Sequence, residues 1–211
     1  MGSRIPPLLE AYLRLPPEAS LVLLTGVLGS TTNWLVQRYL YSLLSPTTAT
    51  ATNGAAQAQA DDDGSAGGVA VVLVSFLRDY AFWRDGVGRL GLDLDAAARR
   101  RRLVYVDALG ALFQPEPEPG TRGPPSTPSS GSAPGGRVLS TPTVEGLRRE
   151  LKNAVAQLTP GSSSRESGPK IVLIVDQPDL LLAATGDDVS GQALHEVLLD
   201  IREVKNLPRE E

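Results

Sequence analysis

The chain has 211 residues, 41 % of them hydrophobic and only 5 % aromatic, and a net charge of −4, which is room for one domain with an aliphatic core. It has no cysteine and one histidine, His195, so disulfides, thiolate zinc sites, a cysteine nucleophile and a multi-histidine metal centre are excluded. The acidic balance argues against binding nucleic acid by bulk charge and leaves only a local basic patch for that purpose.

Leu21-Val22-Leu23-Leu24 is a short all-apolar run, the pattern of a strand buried on both faces. Leu35, Val36, Tyr39, Leu40 and Leu43 follow at helical spacing. Residues 45–68 contain no Leu, Ile, Val or aromatic residue and include Asp61-Asp62-Asp63; such a segment cannot bury enough apolar surface to offset its ordering entropy and reads as a disordered insertion. Val69 to Val74 predicts a second buried strand. Phe76, Tyr80, Trp83, Val87 and Leu90 mark a helical face with Gly91 as its end cap, and Leu103 to Val106 a third strand. Residues 114–142, rich in Pro, Gly and Ser, read as a second disordered insertion. Thr141-Pro142 looks like a helix start, with Val144, Leu147, Leu151, Val155 and Leu158 as the apolar stripe behind it. After a break at Pro160 to Pro169, Ile171 to Val175 gives a fourth strand, and Leu194, Val197, Leu198, Ile201 and Val204 a last helix.

Strand and helix thus alternate four times. The expectation is a single α/β domain over 1–211, a parallel sheet with helices on both faces. The chain stops soon after its last helix, short of the later strands of a larger sheet. Arg4, Glu10, Arg14 and Glu18 interrupt any signal-peptide core, Pro6 stands where a myristoylation signal needs Ser or Thr, and the longest apolar stretch, Val69 to Val74, is too short to cross a bilayer. A soluble intracellular protein with no membrane partner is expected.

In such sheets ligands sit at the carboxyl ends of the strands. The first loop there, Thr25 to Trp34, occupies the place of a phosphate-binding P-loop, G-x-x-x-x-G-K-[ST]. Gly26 fits the first glycine. The second falls on Thr31, the lysine on Thr32 and the metal-binding hydroxyl on Asn33. Gly29 adds the one further glycine within the loop. Thr31 resists the positive φ that curls amides round a phosphate, and Thr32 offers no charge. The plain alternative is a polar strand-to-helix turn with Ser30 or Thr31 as the N-cap and Trp34 in a core or staple role rather than filling the space of a nucleotide. Asp176 closes the fourth strand in the manner of a Mg-binding Walker B residue; Asp107, closing the third, shares the pattern, and many strands end in Asp simply to cap the next turn. Ser75-Phe76 stands where a hydrolase would place its catalytic glutamate. With lysine, second glycine and base all missing, no hydrolysis by this chain alone, no catalytic residue, no metal and no bound cofactor are expected. Arg99, Arg100, Arg101 and Arg102 form a cationic run that is either a solvated strand entry or a phosphate contact with RNA. His195 reads as a surface or half-buried structural residue, and Glu145, Arg148, Arg149, Glu150 and Lys152 as an exposed helix face.

Several ordered phrases resemble one known family: Leu24 to Gly29 with Asn33-Trp34, Ser75 to Tyr80 with Phe82-Trp83, Leu90 to Leu94, and Val106 to Leu109 with Leu112-Phe113. Over residues 20–113 and 170–205 the sequence is similar to the sixth-subunit family of the Elongator complex. The resemblance implies a RecA-like, P-loop NTPase-type fold without Walker motifs and a degenerate P-loop. It implies a hetero-hexameric ring with Elongator subunits four and five, two copies of each. That ring docks on the catalytic Elongator subunits, binds tRNA and couples nucleotide hydrolysis to tRNA release. It implies a non-catalytic part in modifying wobble uridines of tRNA, in the cytoplasm and also the nucleus. The two long insertions depart from the family pattern. The competing expectations are an independent RecA-like ATPase acting on nucleic acid and a tRNA-binding module using Arg99 to Arg102.

Overall fold

A computed structural model describes residues 7–10, 12–13, 20–27, 29–45, 68–113, 133–159 and 169–203. Its centre is a parallel sheet of four strands, β1 (Val69–Ser75), β2 (Leu103–Asp107), β3 (Arg137–Val138) and β4 (Lys170–Asp176), ordered β3-β2-β1-β4. The helices are α1 (Pro7–Glu10), α2 (Asn33–Leu44), α3 (Tyr80–Arg89), α4 (Leu94–Arg99), α5 (Leu109–Phe113), α6 (Val144–Leu158), α7 (Asp179–Thr185) and α8 (Gly191–Glu203).

Strand pleating divides the core in two. Ala70, Val72 and Val74 of β1 and Val104 and Val106 of β2 face one layer with Leu147, Leu151, Ala154 and Leu158 of α6 and Leu194 and Val197 of α8. Val71 and Leu73 of β1 and Leu103 and Tyr105 of β2 face the other, under Val36, Leu40, Leu43 and Leu44 of α2, Trp83 and Val87 of α3, and Leu94 of α4. A continuous apolar run is what a strand covered on both faces requires, and each fully buried Val or Leu stabilises by about 1.5–3 kcal/mol. Local chemistry sets the helix starts. Asp79, Asp93 and Thr143 accept from the backbone N–H of Phe82, Ala96 and Gly146 at 2.9, 2.9 and 3.1 Å, satisfying donors a helix start leaves open. Gly91 follows α3 at φ 91°, the left-handed end cap expected of it.

The structure is α/β with helices on both faces of an all-parallel sheet. It differs from the sequence expectations in five places. Leu21 to Leu24 is not a strand: Leu21, Val22 and Leu23 are 67 %, 52 % and 80 % exposed, and only Leu24 reaches the core, in the α2 layer. Apolarity shows that a segment can pair, not which edge it finds. Phe76 precedes α3 rather than belonging to its face, because the Asp79 cap starts the helix at Tyr80; its side chain fills the α6 layer instead. Pro142 lies before the cap of α6, not inside the helix.

The insertion proposed over 45–68 lies outside the described residues except at its two ends. Of the insertion proposed over 114–142, residues 114–132 lie outside them, but 133–142 are part of the fold. Arg137 and Val138 pair with β2, Leu139 donates to Asp107 O at 2.8 Å and is fully buried, and Ala133 is buried. One aliphatic side chain and one ion pair hold this short strand, too little to show against its Pro, Gly and Ser surroundings. Finally, Glu150 is not on an exposed face. It is 7 % exposed and its Oε2 accepts from Arg137 Nε and Nη2 at 3.0 and 2.8 Å, tying β3 to α6.

Candidate functional site

Parallel register brings three strand-end side chains into one row. Ser75 of β1 stands opposite Asp107 of β2 on one side and Asp176 of β4 on the other. Ser75 is fully buried and Asp176 is 3 % exposed. The Ser75 hydroxyl donates to Asp176 Oδ2 at 2.9 Å and accepts from Arg78 N at 3.1 Å and Trp83 Nε1 at 3.3 Å. One donor and two acceptor positions are all a hydroxyl has, so Ser75 is saturated and has no lone pair left to act as a nucleophile. Burial pushes the Asp176 carboxyl above its usual range; the Ser75 hydrogen bond and the Arg78 charge act the other way, and nearby Asp179 adds to the rise.

The frame around this row is aromatic. Tyr105 donates to Arg78 O at 2.8 Å, Tyr80 packs against Tyr105 with ring centroids 5.3 Å apart, and Trp83 meets Phe82 edge-on. The Arg78 guanidinium lies over the Phe82 ring at 5.0 Å, and its Nε is buried without a hydrogen-bond partner. Burial raises the phenol of Tyr105, and the Asp107, Asp79 and Asp176 carboxylates raise it further. Gln177, next after Asp176, holds φ 52°, a conformation few non-glycine residues adopt. Asp107 behaves differently from Asp176: its Oδ1 accepts from Gly110 N at 3.1 Å, so it caps the following turn.

The loop before α2 folds onto itself. Ser30 Oγ accepts from Val27 N at 3.2 Å and donates to Val27 O at 3.0 Å, and Ser30 N donates to the same carbonyl at 2.9 Å. Its left-handed glycine is Gly29, at φ 86°, not the Thr31 position. Thr32, rather than Ser30 or Thr31, is the N-cap of α2, and it makes no side-chain cap hydrogen bond. Asn33 is buried with its Oδ1 unpartnered, and Trp34 is 56 % exposed instead of in the core. A phosphate cradle needs several free N–H groups aimed at one point; here the serine turn uses two of them.

The four arginines do not act together. Arg102 is the structural one: its Nε donates to Val69 O at 3.2 Å, Nη1 to Leu44 O at 2.9 Å and Nη2 to Leu43 O at 3.0 Å. It therefore caps the carboxyl end of α2 with three of its five donors, so the four cations do not form one uniform patch. Arg99, Arg100 and Arg101 are exposed; Arg99 lies 3.7 Å from Asp93, and Arg101 turns at φ 55°. They lead into β2, so they stand at the opposite end of the sheet from Asp176. His195 is exposed on α8.

Among the described residues no three His, Cys, Asp or Glu side chains gather as metal ligands, and no helix is long and apolar enough to cross a membrane. Sequence reasoning found Asp107 and Asp176 by the strand-end pattern but missed that Ser75, Arg78 and Trp83 join them. The only available signal was Ser75 itself, a polar residue closing an apolar strand. Comparison with protein-family models, curated proteins and solved structures finds no match.

Proposed function

We propose that this chain is a non-catalytic, RecA-like subunit of an Elongator-type hetero-hexameric ring, with a degenerate P-loop and with subunits four and five as its neighbours. Nucleotide turnover would belong to the assembled ring, and tRNA would bind through it to support wobble-uridine modification. The family-like phrases of residues 20–113 and 170–205 supply the family part of this reading. The observation that carries the non-catalytic part is the saturated Ser75 hydroxyl, which donates to the buried Asp176 carboxylate. The strand-end carboxylate a nucleotide hydrolase would use for its metal is held by an internal hydroxyl. The loop that would take the phosphates is closed by Ser30.

Native mass spectrometry after co-expression with Elongator subunits four and five tests the reading, with the chain alone as control. A six-chain assembly holding two copies of this chain is the expected result. A stable monomer that ignores both partners overturns it. ATP turnover by the isolated chain, abolished by Asp176→Ala, would establish the independent ATPase instead.

Contact with tRNA would fall to Arg99, Arg100 and Arg101, the exposed cations before β2. Each neutralised phosphate adds to the salt dependence of binding. Replacing these three by Gln, with Arg102 kept, should flatten the salt slope of tRNA binding by the assembly; an unchanged slope removes them from the interface.

A further inference from the structure

A hydroxyl followed by proline is the acceptor pattern of proline-directed protein kinases, and the chain carries it at Ser45-Pro46, Thr127-Pro128, Thr141-Pro142 and Thr159-Pro160. Thr127 lies outside the described residues. The other three hydroxyls stand in different electrostatic surroundings. Ser45 and Thr159 are the C-caps of α2 and α6, both half-buried, and the Thr159 hydroxyl donates to Val155 O at 3.1 Å. A phosphate at either would face unpaired carbonyls and the negative end of a helix. Thr141 is the reverse case. It is exposed, and it stands two residues before the Thr143 cap of α6. Ser140 to Thr143 belong to no helix or strand, and a residue before proline is pushed toward extended backbone, the form in which kinases take a substrate.

A cation already reaches this turn. Arg149, from the second turn of α6, donates through Nη2 to Ser140 Oγ while its side chain stays 59 % exposed. Its other contact is Glu150 Oε1 at 3.5 Å, and that carboxylate is held independently by Arg137 at Oε2. Arg149 can therefore turn to a phosphate one residue from Ser140 without stranding a buried charge. Arg148 is committed to Asp200 and Glu145, which also offsets the acid of the first turn. The Thr141 hydroxyl is fixed in place: it lies 3.3 Å from Thr143 Oγ1, and a Cβ at Gly146 would come within 2.5 Å of it.

We propose that Thr141 is a phosphorylation site for a proline-directed kinase, with Arg149 as the side chain that receives the phosphate. The γ-phosphoryl group of ATP passes to Thr141 Oγ1, the O–H bond breaks, a P–O bond forms, and ADP and a proton leave. The product carries about −1.5 to −2 charge at pH 7 and fits a guanidinium in a planar, two-bond fork. It strengthens the tie between the β3 segment and α6 and adds negative charge at the carboxyl end of β3. Thr141 lies outside the family-like phrases of residues 20–113 and 170–205, so the site stands whether or not the chain belongs to an Elongator ring.

The test is phosphorylation of the folded full chain by two proline-directed kinases, one of the mitogen-activated and one of the cyclin-dependent class, with MgATP and mapping by peptide mass spectrometry. Thr141 is expected as the main described site, and Thr141→Ala should lose that label while Ser45 and Thr159 stay unmodified. The phosphorylated chain should melt roughly 2–6 °C above the unmodified one, and the gain should vanish in Arg149→Gln measured against its own unmodified form. Phosphate on Ser45 or Thr159 in preference to Thr141, or on Thr141 only after urea unfolding, overturns the proposal. A Tm gain that survives Arg149→Gln removes Arg149 as the receiving side chain.

Discussion

Replacing Arg102 by methionine removes a side chain whose hydrogen bonds join both flanks of residues 46–67. The guanidinium takes the last carbonyls of α2 at Leu43 and Leu44, where the helix leaves acceptors unpaired and its dipole is negative, and the first carbonyl of β1 at Val69. Hydrogen bonds to a charged group contribute about 1.5–3 kcal/mol each. Arg102 is only half-buried, and water takes over part of each bond when it is lost, so the three together come to about 2–4 kcal/mol. Burial lowers the guanidinium pKa, but arginine stays charged at any ordinary pH. Arg102→Lys keeps the charge and loses the planar fork, and should cost about 1–2 kcal/mol. Arg100→Gln, an exposed neighbour two residues away, should stay within about 0.5 kcal/mol. Urea unfolding followed by circular dichroism at fixed pH measures all three. For a chain of this size Arg102→Met should lower Tm by roughly 4–16 °C. If Arg102→Met and Arg100→Gln unfold alike, the clamp contributes nothing and the four arginines are one solvated run after all.

Three further outcomes follow from named contacts. Arg137→Met leaves the Glu150 carboxylate, whose side chain is 9 % exposed, with only the more distant Arg149 Nε at 3.5 Å, and should cost about 1–3 kcal/mol, whereas Arg137→Met with Glu150→Met should recover most of that loss; a double-mutant cycle in urea reads the coupling. Gly146→Ala should destabilise by about 1–3 kcal/mol, although helix propensity alone favours alanine, because the new Cβ would lie 2.5 Å from Thr141 O; calorimetry decides the sign. Asp176→Asn keeps the acceptor for Ser75 and removes a buried charge. A carboxyl whose folded pKa is raised contributes its stability below the unfolded pKa, near 3.9, and loses it as pH rises through the folded value. Asp176→Asn should therefore raise stability at pH about 7, with the gain fading toward pH about 3.5; a loss at neutral pH in urea melts would mean that Arg78 holds the carboxylate more strongly than burial opposes it.

Long-range packing was legible where the sequence repeats a period, and opaque where one contact decides. β1, β2 and β4 stand on continuous aliphatic runs, and α2, α3, α6 and α8 on spacing near 3.6, so all seven showed. α4, α5 and α7 span two turns or fewer and are too short for periodicity to emerge. β3 has two residues and depends on Leu139 and on Arg137 meeting a glutamate thirteen positions on. At the site, Asp107 and Asp176 carry the same strand-end signature, yet one caps a turn and the other is buried beside Ser75. Only the neighbouring strand separates them. Arg99 to Arg102 are chemically identical, and what sets Arg102 apart is the end of α2, 58 residues earlier in sequence.

The two ends of the sheet have opposite energetic character, and that contrast bears on where function sits. At the amino end Arg102 meets three carbonyls and stabilises the fold, although Arg101 beside it also sits at positive φ. At the carboxyl end unfavourable features accumulate within a few residues. Asp176 is a buried carboxyl whose charge burial opposes, Arg78 Nε is buried without a partner, and Gln177 sits at positive φ. Each such feature costs of order 1–3 kcal/mol, and an apolar strand end would have none of them. Local rules are broken together mainly where a surface serves something other than folding. If the proposed ring reading holds, the carboxyl end is the place to look for contact with a neighbouring subunit. Asp176→Asn sharpens that argument, because a substitution that stabilises the isolated chain while weakening ring assembly would separate the two roles at a single residue.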